Sequence, residues 1–434
     1  MSNEHSKRPL PDPEKHKISY ARHRLAVILF VVLFVAYIDR VNISVLVVDP
    51  VFLDAMGIAN DPVAKGSLMT IFLVFFGLGN VLLSPLGDWL GPKKSTLIAI
   101  FLWGLAMMIG GLAATLTMMV MSRVLLGIGE GIYYPMQSKF VKNWFPVHER
   151  GKANATWLVG VNVAPMFAMP LFAWMIPEFG WKNNFYFLSM LSVIPFVLVW
   201  MYTSDNPHQF KNISKKELEY IEGELAKEQA EEYKSNRGGI WESYIGVLKN
   251  TKVWMLVLAY SGTSSIWWGI VTWLPAYLRD ARGFSWAEMG MWASLPYILA
   301  VVVKLFAGWA VDKFNKPSLL LGIALLGSAI FIYFGAYAQS SVNAVLLISF
   351  GVGMLAIGTP SAWYMLQKVL PSNAVASGAG MMSGVSSGIS AAAPVMTGVL
   401  IGLTGSYIGG LMYMVGWGVF GAFICFVLGL STRK

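Results

Sequence analysis

Charge is what this chain lacks most. Only 13% of its 434 residues are Asp, Glu, Lys or Arg, against roughly a quarter in a soluble domain, while 56% are apolar before the 43 glycines are counted. That deficit excludes a soluble enzyme and a disordered scaffold. Cysteine is nearly absent. The one present, Cys425, sits in an apolar run, which rules out a disulfide framework and a cysteine zinc site and leaves it a packing role. Histidine is sparse and badly placed for a metal, since His5, His16, His23, His148 and His208 fall in tails or loops. No metal and no cofactor is expected.

What is present is long apolar runs. Taking about 20 predominantly apolar residues as a spanning helix, the chain offers twelve, centred near residues 36, 75, 104, 129, 164, 194, 265, 300, 327, 353, 388 and 419. The first, Leu25 to Val48, is too long for a signal h-region and has no A-x-A site, so it reads as helix one. The net charge of +9 does not form a nucleic-acid patch, because the basic residues flank the apolar runs and report topology. Of the 32 Lys and Arg, 25 collect on one side with both termini, four (Lys65, Lys182, Arg279, Arg282) lie in the opposite loops, and Arg40, Arg123 and Lys304 lie within spans. The positive-inside rule then puts both termini in the cytoplasm. The N-x-S/T sequons at Asn42, Asn154 and Asn212 fall in spans or on the basic side, which fits a bacterial inner membrane.

The reading divides the chain into an amino tail (1–24), a six-helix bundle (25–203), a hydrophilic linker (204–252), a second six-helix bundle (253–430) and a short carboxyl tail (431–434). In the linker, Ser214 with Glu217 three residues on predicts a capping box opening a charged helix to about Tyr233. Ile240, Trp241, Tyr244, Ile245 and Leu248 recur on one face, as in a helix lying in the membrane interface. A plain solvated linker is the alternative. The halves also echo each other. SPLGDWLGPKK carries Asp88, Lys93 and Lys94 after span two, and GWAVDKFNKP carries Asp312 and Lys313 after span eight. Parallel repeats place such turns equivalently. An acid at a helix end followed by bases can latch one conformation, or merely mark the membrane edge.

A charged side chain at a span centre costs on the order of 3 kcal/mol, so each one asks for a reason. Asp39 and Arg40 stand in YIDRVN just past the middle of span one, and Glu130 at the centre of span four in SRVLLGIGEG. Arg123 precedes Glu130 by seven residues, two turns and about 10 Å along the same face. Carboxylates facing a cavity with cations nearby suit proton relay, which makes Asp39 and Glu130 the candidate proton carriers. Arg40 offers a fork of donors for a substrate carboxylate, and Arg123 could do the same or balance an acid. The rival reading is structural pairing, Asp39 with Arg40 and Arg123 with Glu130. Lys304, eight residues before Asp312, either attracts an anion or snorkels to the interface.

Weaker candidates are aromatic and polar: Tyr37, Tyr133 and Tyr134; Trp267, Trp268 and Trp273 in span seven; Ser361, Trp363, Tyr364 and Gln367 in span ten. Interface belting or core packing explains any one of them as well. Gly127, Gly129 and Gly131 have no strand before them and fail as a nucleotide loop. Gly380, Gly384 and Gly388 allow close helix approach.

Jointly, YIDRVN (37–42), GDWLGPKK (87–94), SRVLLGIGEG (122–131), NWFPVHERGKA (143–153) and TWLPAYL (272–278) resemble the major facilitator superfamily. Within it they resemble the anion:cation symporter family, which includes hexuronate, galactonate and glucarate permeases and the sialins. The resemblance covers residues 20 to 430. It implies an all-α membrane protein of twelve transmembrane helices in two pseudo-symmetric six-helix bundles, and proton-coupled symport of small organic anions, typically sugar acids. The family's span-one acid and arginine fall on Asp39 and Arg40, its span-four pair on Arg123 and Glu130. Its substrate contacts fall near Tyr37, Phe76, Ser361, Trp363 and Ser387, with Asn162 at the span-five position.

The expectation is therefore a transporter with a midplane site between its halves, working by alternating access. Its partners are a small organic anion, protons and the lipid bilayer, not nucleic acid, and the chain is expected to be a monomer. An exchanger or exporter, and a transporter-shaped sensor that binds without flux, stay open. A membrane enzyme is disfavoured because no nucleophile–base set is visible.

Overall fold

The computed structural model describes residues 19–235, 240–370 and 374–431. The tail bases Lys7, Arg8, Lys15, Lys17, Arg433 and Lys434, the side chains of Ile240, Trp241 and Tyr244, and the side chain of Asp312 lie outside the described residues. Among the described residues the chain is helical and has no strand. Helices α1 (Ala21–Leu46), α3 (Pro62–Leu82), α5 (Gly91–Leu112) and α6 (Leu116–Trp144) give four spans, with α2 (Pro50–Met56) and α4 (Leu86–Trp89) in the connections. Helices α7 (Val147–Leu158) and α8 (Gly160–Phe179) share the fifth span, α9 (Trp181–Leu191) and α10 (Val193–Tyr202) the sixth. The linker holds α11 (Lys215–Ser235) and α12 (Ile240–Lys249). The second half follows with α13 (Thr251–Ala276), α14 (Trp286–Phe314), α15 (Pro317–Tyr337), α16 (Ser341–Val369), α17 (Val375–Ala391), α18 (Ala393–Thr404) and α19 (Tyr407–Ser431).

Eleven of these spans are long and apolar enough to cross a membrane. The seventh, α13, has 26 residues but is diluted by Ser261, Thr263 and Ser265, all buried. Its polarity faces protein, which is where a spanning helix can carry it. The chain is an all-helical, multi-pass membrane protein. The breaks inside two spans have a plain cause. Pro195 and Pro394 have no N–H to give the carbonyl four residues back, and the helix is interrupted just before each.

In the first half α6 packs on α3 and α5; in the second, α15 packs on α16 and α19. The α3/α6 approach depends on glycine. A Cβ on Gly127 would stand 2.6 Å from the Phe72 carbonyl oxygen, and one on Gly131 2.6 Å from that of Phe76. That settles the role of two of the mid-span glycines. Gly380, Gly384 and Gly388 differ, since nothing lies within 4 Å of a Cβ built on any of them. In this conformation that stripe has open space beside it, so the close approach it allows is not used here.

The halves meet tightly on the side opposite the basic loops. There a Cβ on Gly66 of α3 would lie 2.4 Å from the Pro394 oxygen of α18, and one on Gly398 of α18 2.3 Å from the Pro62 oxygen. Val395 N–H donates to Thr70 Oγ1 at 3.2 Å, and Gly290 of α14 abuts Ala173 of α8. This face is closed.

The linker is fastened to the first half. Ser214 caps α11 through the Glu217 N–H at 3.3 Å. The expected reciprocal bond does not form, because the Glu217 carboxylate instead accepts from the Ser19 hydroxyl, the Ala21 and Arg22 amides and the Arg22 guanidinium. The first amides of α1 have no partner of their own, and Tyr20 before them supplies no side-chain cap. Glu217 caps them across the sequence. Arg22 also pairs with Glu149, and Arg150 holds Glu228 through both of its terminal nitrogens, at 2.7 and 2.8 Å.

Candidate functional site

Helices α1 and α6 carry the buried charges and α3 supplies the wall. Arg40 of α1 reaches across to Glu130 of α6, donating Nε at 2.9 Å and Nη2 to the same oxygen, Oε2. Both side chains are at most 2% exposed. The guanidinium lies over four rings: Tyr37 at 4.2 Å, Phe76 at 4.6 Å, Phe72 at 5.1 Å and Trp268 of α13 at 5.6 Å. Rings around a desolvated cation favour it by its quadrupole attraction while keeping water away. Trp268 belongs to the second half, so the cluster sits at the seam.

Asp39 and Arg123 are 0% exposed. Both Asp39 oxygens, Glu130 Oε1, and all three Arg123 side-chain nitrogens have no hydrogen-bond partner among the described residues. Arg123 rests 5.4 Å from the Phe185 ring, and Asp39 feels the like charge of Glu130 and the opposite charge of Arg123. Neither of the pairings open to the sequence, Asp39 with Arg40 or Arg123 with Glu130, forms. Successive residues on a helix project about 100° apart, so Arg40 cannot turn to its neighbour and meets α6 instead. A buried charge without a partner is costly. These groups therefore favour a proton, a ligand or a change of partner.

The other expected residues are dispersed around this centre. Asn162 of α8, 2% exposed, accepts from the Lys304 ammonium of α14 at 2.6 Å, a bond between the halves. Tyr37 and Phe76 line Arg40 as above. Trp363 packs at 6.4 Å from Tyr260. Ser361 is buried but donates to its own helix at Ile357, 2.8 Å away, and Ser387 is half-buried; neither is hydrogen-bonded to the charged cluster. Of the turn residues, Asp88 pairs with Lys139 at the end of α6. The Lys93 amide donates to Asp205 and its ammonium to the Thr203 carbonyl. Lys94 is exposed, and Lys313 lies 4.5 Å from the Trp309 ring. None of these contacts joins the two halves.

Phe72 was not singled out from the sequence, although it stands four residues before Phe76 on the same helix face. The bond between the buried amides of Asn184 and Asn42, at 2.6 Å, was also not foreseen. Two internal polar side chains in apolar spans were the available signal.

Comparison with known proteins gives this arrangement a family. The model of the Major Facilitator Superfamily matches residues 29–394. The "Probable sulfoacetate transporter SauU" of Cupriavidus necator is 27% identical over 398 residues, 89% of this chain and 89% of that protein. The "Probable L-galactonate transporter" of Escherichia coli is 25% identical over 394 residues, 88% and 83% respectively. In fold, a bacterial homologue of the human lysosomal transporter Spinster, in an inward-facing, unoccupied conformation, superimposes with a TM-score of 0.75 at 16% identity, covering 95% of this chain and 97% of that one. These relatives are transporters, and the chain is likewise not an enzyme. By the extent of the match and the kind of relatives it draws, the chain belongs to the Major Facilitator Superfamily, in its anion:cation symporter type.

Proposed function

We propose that the protein is a proton-coupled symporter that imports a small organic anion, a sugar acid or a compact sulfonate, by alternating access. The basic side is then cytoplasmic, both termini lie in the cytoplasm, and the membrane is a bacterial inner membrane. The observation that carries the reading is Arg40 held by Glu130 while Asp39 and Arg123 lie buried without partners among the described residues. Such a site is switched by protons. A proton on Glu130 removes the charge holding Arg40 and frees its fork for an acid group of the substrate; a proton on Asp39 removes the opposite charge that Arg123 feels, leaving its unpartnered fork to a ligand. Proton and anion thereby each favour the other's binding. With the outer seam closed, loss of both protons towards the cytoplasm re-forms the Arg40–Glu130 pair and expels the anion. The identities of the relatives' cargoes, sulfoacetate and L-galactonate, support an acid as substrate.

The test is uptake by purified protein in liposomes, using sulfoacetate and galactonate with and without an imposed pH difference. Accumulation is expected only when the outside is more acidic. Glu130→Gln and Asp39→Asn each mimic the protonated state, so gradient-driven accumulation should fall at least tenfold while exchange of internal for external substrate persists. No proton-dependent flux of any organic anion would reject symport; normal accumulation by both variants would reject these two carriers.

A further inference from the structure

We infer that the substrate is a dianion, its second acid group received by Lys304 from the second half of the molecule. This rests on the reading above that the site carries organic anions, and it narrows the class to molecules with two acid groups on a short carbon chain.

Three observations carry it. The first is direction. A lysine that snorkelled would send its ammonium to the interface, but Lys304 Nζ points across the seam and donates to Asn162 Oδ1 at 2.6 Å. The second is its lack of a counter-charge. The residue is exposed, and no described acid lies within ion-pair distance of it. A neutral amide uses one of three ammonium donors and balances none of its charge.

The third is depth. A Cβ on Gly160 of α8 would lie 3.4 Å from the Phe34 nitrogen of α1, and both helices run away from the basic side. Asn162 is thus level with about Ala36, four residues short of Arg40. At 1.5 Å per residue that is about 6 Å along the membrane normal. Lys304 therefore stands one turn to the basic side of Arg40, as a second anchor.

The charge balance follows. When Asp39 and Glu130 are protonated, Arg40, Arg123 and Lys304 are left as cations without a counter-charge among the described residues. A single carboxylate leaves two of them uncompensated; two acid groups leave one. Unpaired charge in an occluded site is penalised, so closure of the halves favours the dianion. Arg40 belongs to the first half and Lys304 to the second, so a dianion would replace the Lys304–Asn162 bond with a tie of its own between the halves.

Galactarate and galactonate are suitable probes, because galactarate carries a carboxylate at the end where galactonate has a hydroxymethyl group. Proton-driven uptake of each would be measured in liposomes for the unaltered protein, Lys304→Gln and Lys304→Arg, with sulfoacetate as a compact dianion. The unaltered protein should prefer a dianion over galactonate by at least tenfold in kcat/KM. Lys304→Gln should lose at least tenfold more on the dianions than on galactonate, chiefly through KM, and Lys304→Arg should recover most of that loss. Equal losses on both charge classes, or a preference for galactonate that Lys304→Gln leaves in place, would overturn the inference while proton-coupled uptake stands. Absence of uptake for every probe would overturn the transport reading and this inference with it.

Discussion

At the scale of single residues, the Arg40–Glu130 pair makes a prediction that separates its structural from its transport role. Removing one member of a buried pair costs about 3–5 kcal/mol because the other is left charged and alone. Arg40→Gln should therefore lower the thermal stability of the detergent-solubilised protein clearly. Glu130→Gln, which leaves Arg40 its ring of aromatics and an amide oxygen to donate to, should lower it less. The double variant Arg40→Gln with Glu130→Gln should recover much of the first loss. If Arg40→Gln alone is as stable as the unaltered protein, the pair does not hold α1 to α6. Which residues matter here was legible from sequence, because lipid excludes charge and Asp39, Arg40, Arg123 and Glu130 stood out against apolar spans. Which pairs with which was not. Sequence neighbours suggested two local pairs, whereas the partner of Arg40 is set by how α1 crosses α6, and that crossing depends on packing along both helices.

Among elements, the linker is the one whose attachment changes how the halves are understood. Glu217 caps α1, Asp205 caps α5 through the Lys93 amide, and Arg150 holds α11 through Glu228. The linker is thus an appendage of the first half. Burial pushes the Glu217 carboxyl up, but the Ser19 hydroxyl, the two α1 amides and Arg22 outweigh it and hold the group below its ordinary value. A carboxyl depressed on folding contributes stability that is fully present above its unfolded value, about 4.3, and is lost as pH falls through the lower folded value. Docking of α11 should persist at pH 5, which limited proteolysis of the linker would show as unchanged protection. Glu217→Ala removes hydrogen bonds to a charged group worth about 1.5–3 kcal/mol each and should expose the linker to cleavage already at neutral pH. Cleavage at pH 5 matching that of the variant would refute the capping role. The helix itself and its Ser214 start were readable three residues at a time. The destination of Glu217 was not, since it lies some 195 residues away in sequence and no local pattern encodes it.

For the whole molecule, the conformation is decided where α3 and α18 close on the side opposite the basic loops. Gly66 and Gly398 meet backbone oxygens of Pro394 and Pro62, atoms that cannot rotate away as a side chain can. A methyl group at either glycine overpacks the closed seam, at a cost of about 1–3 kcal/mol. In the alternating-access cycle proposed above the seam parts when the site opens outward, so that cost falls on one state only. A bias of that size moves a two-state equilibrium roughly 5- to 150-fold. Gly66→Ala and Gly398→Ala should therefore shift the protein towards the outward-open form. Thr70 accepts the Val395 amide within this seam, and the chain's single cysteine is buried. A Thr70→Cys probe in a Cys425→Ser background then reports opening by its reaction with a membrane-impermeant maleimide supplied from the outer side. Labelling should rise several-fold on adding Gly66→Ala and should fall again when substrate and acid pH favour the occluded form. Labelling that stays equal with and without the added methyl group would mean that this seam does not set the balance between the two states, and that the closure seen here is held by contacts elsewhere, such as Gly290 against Ala173.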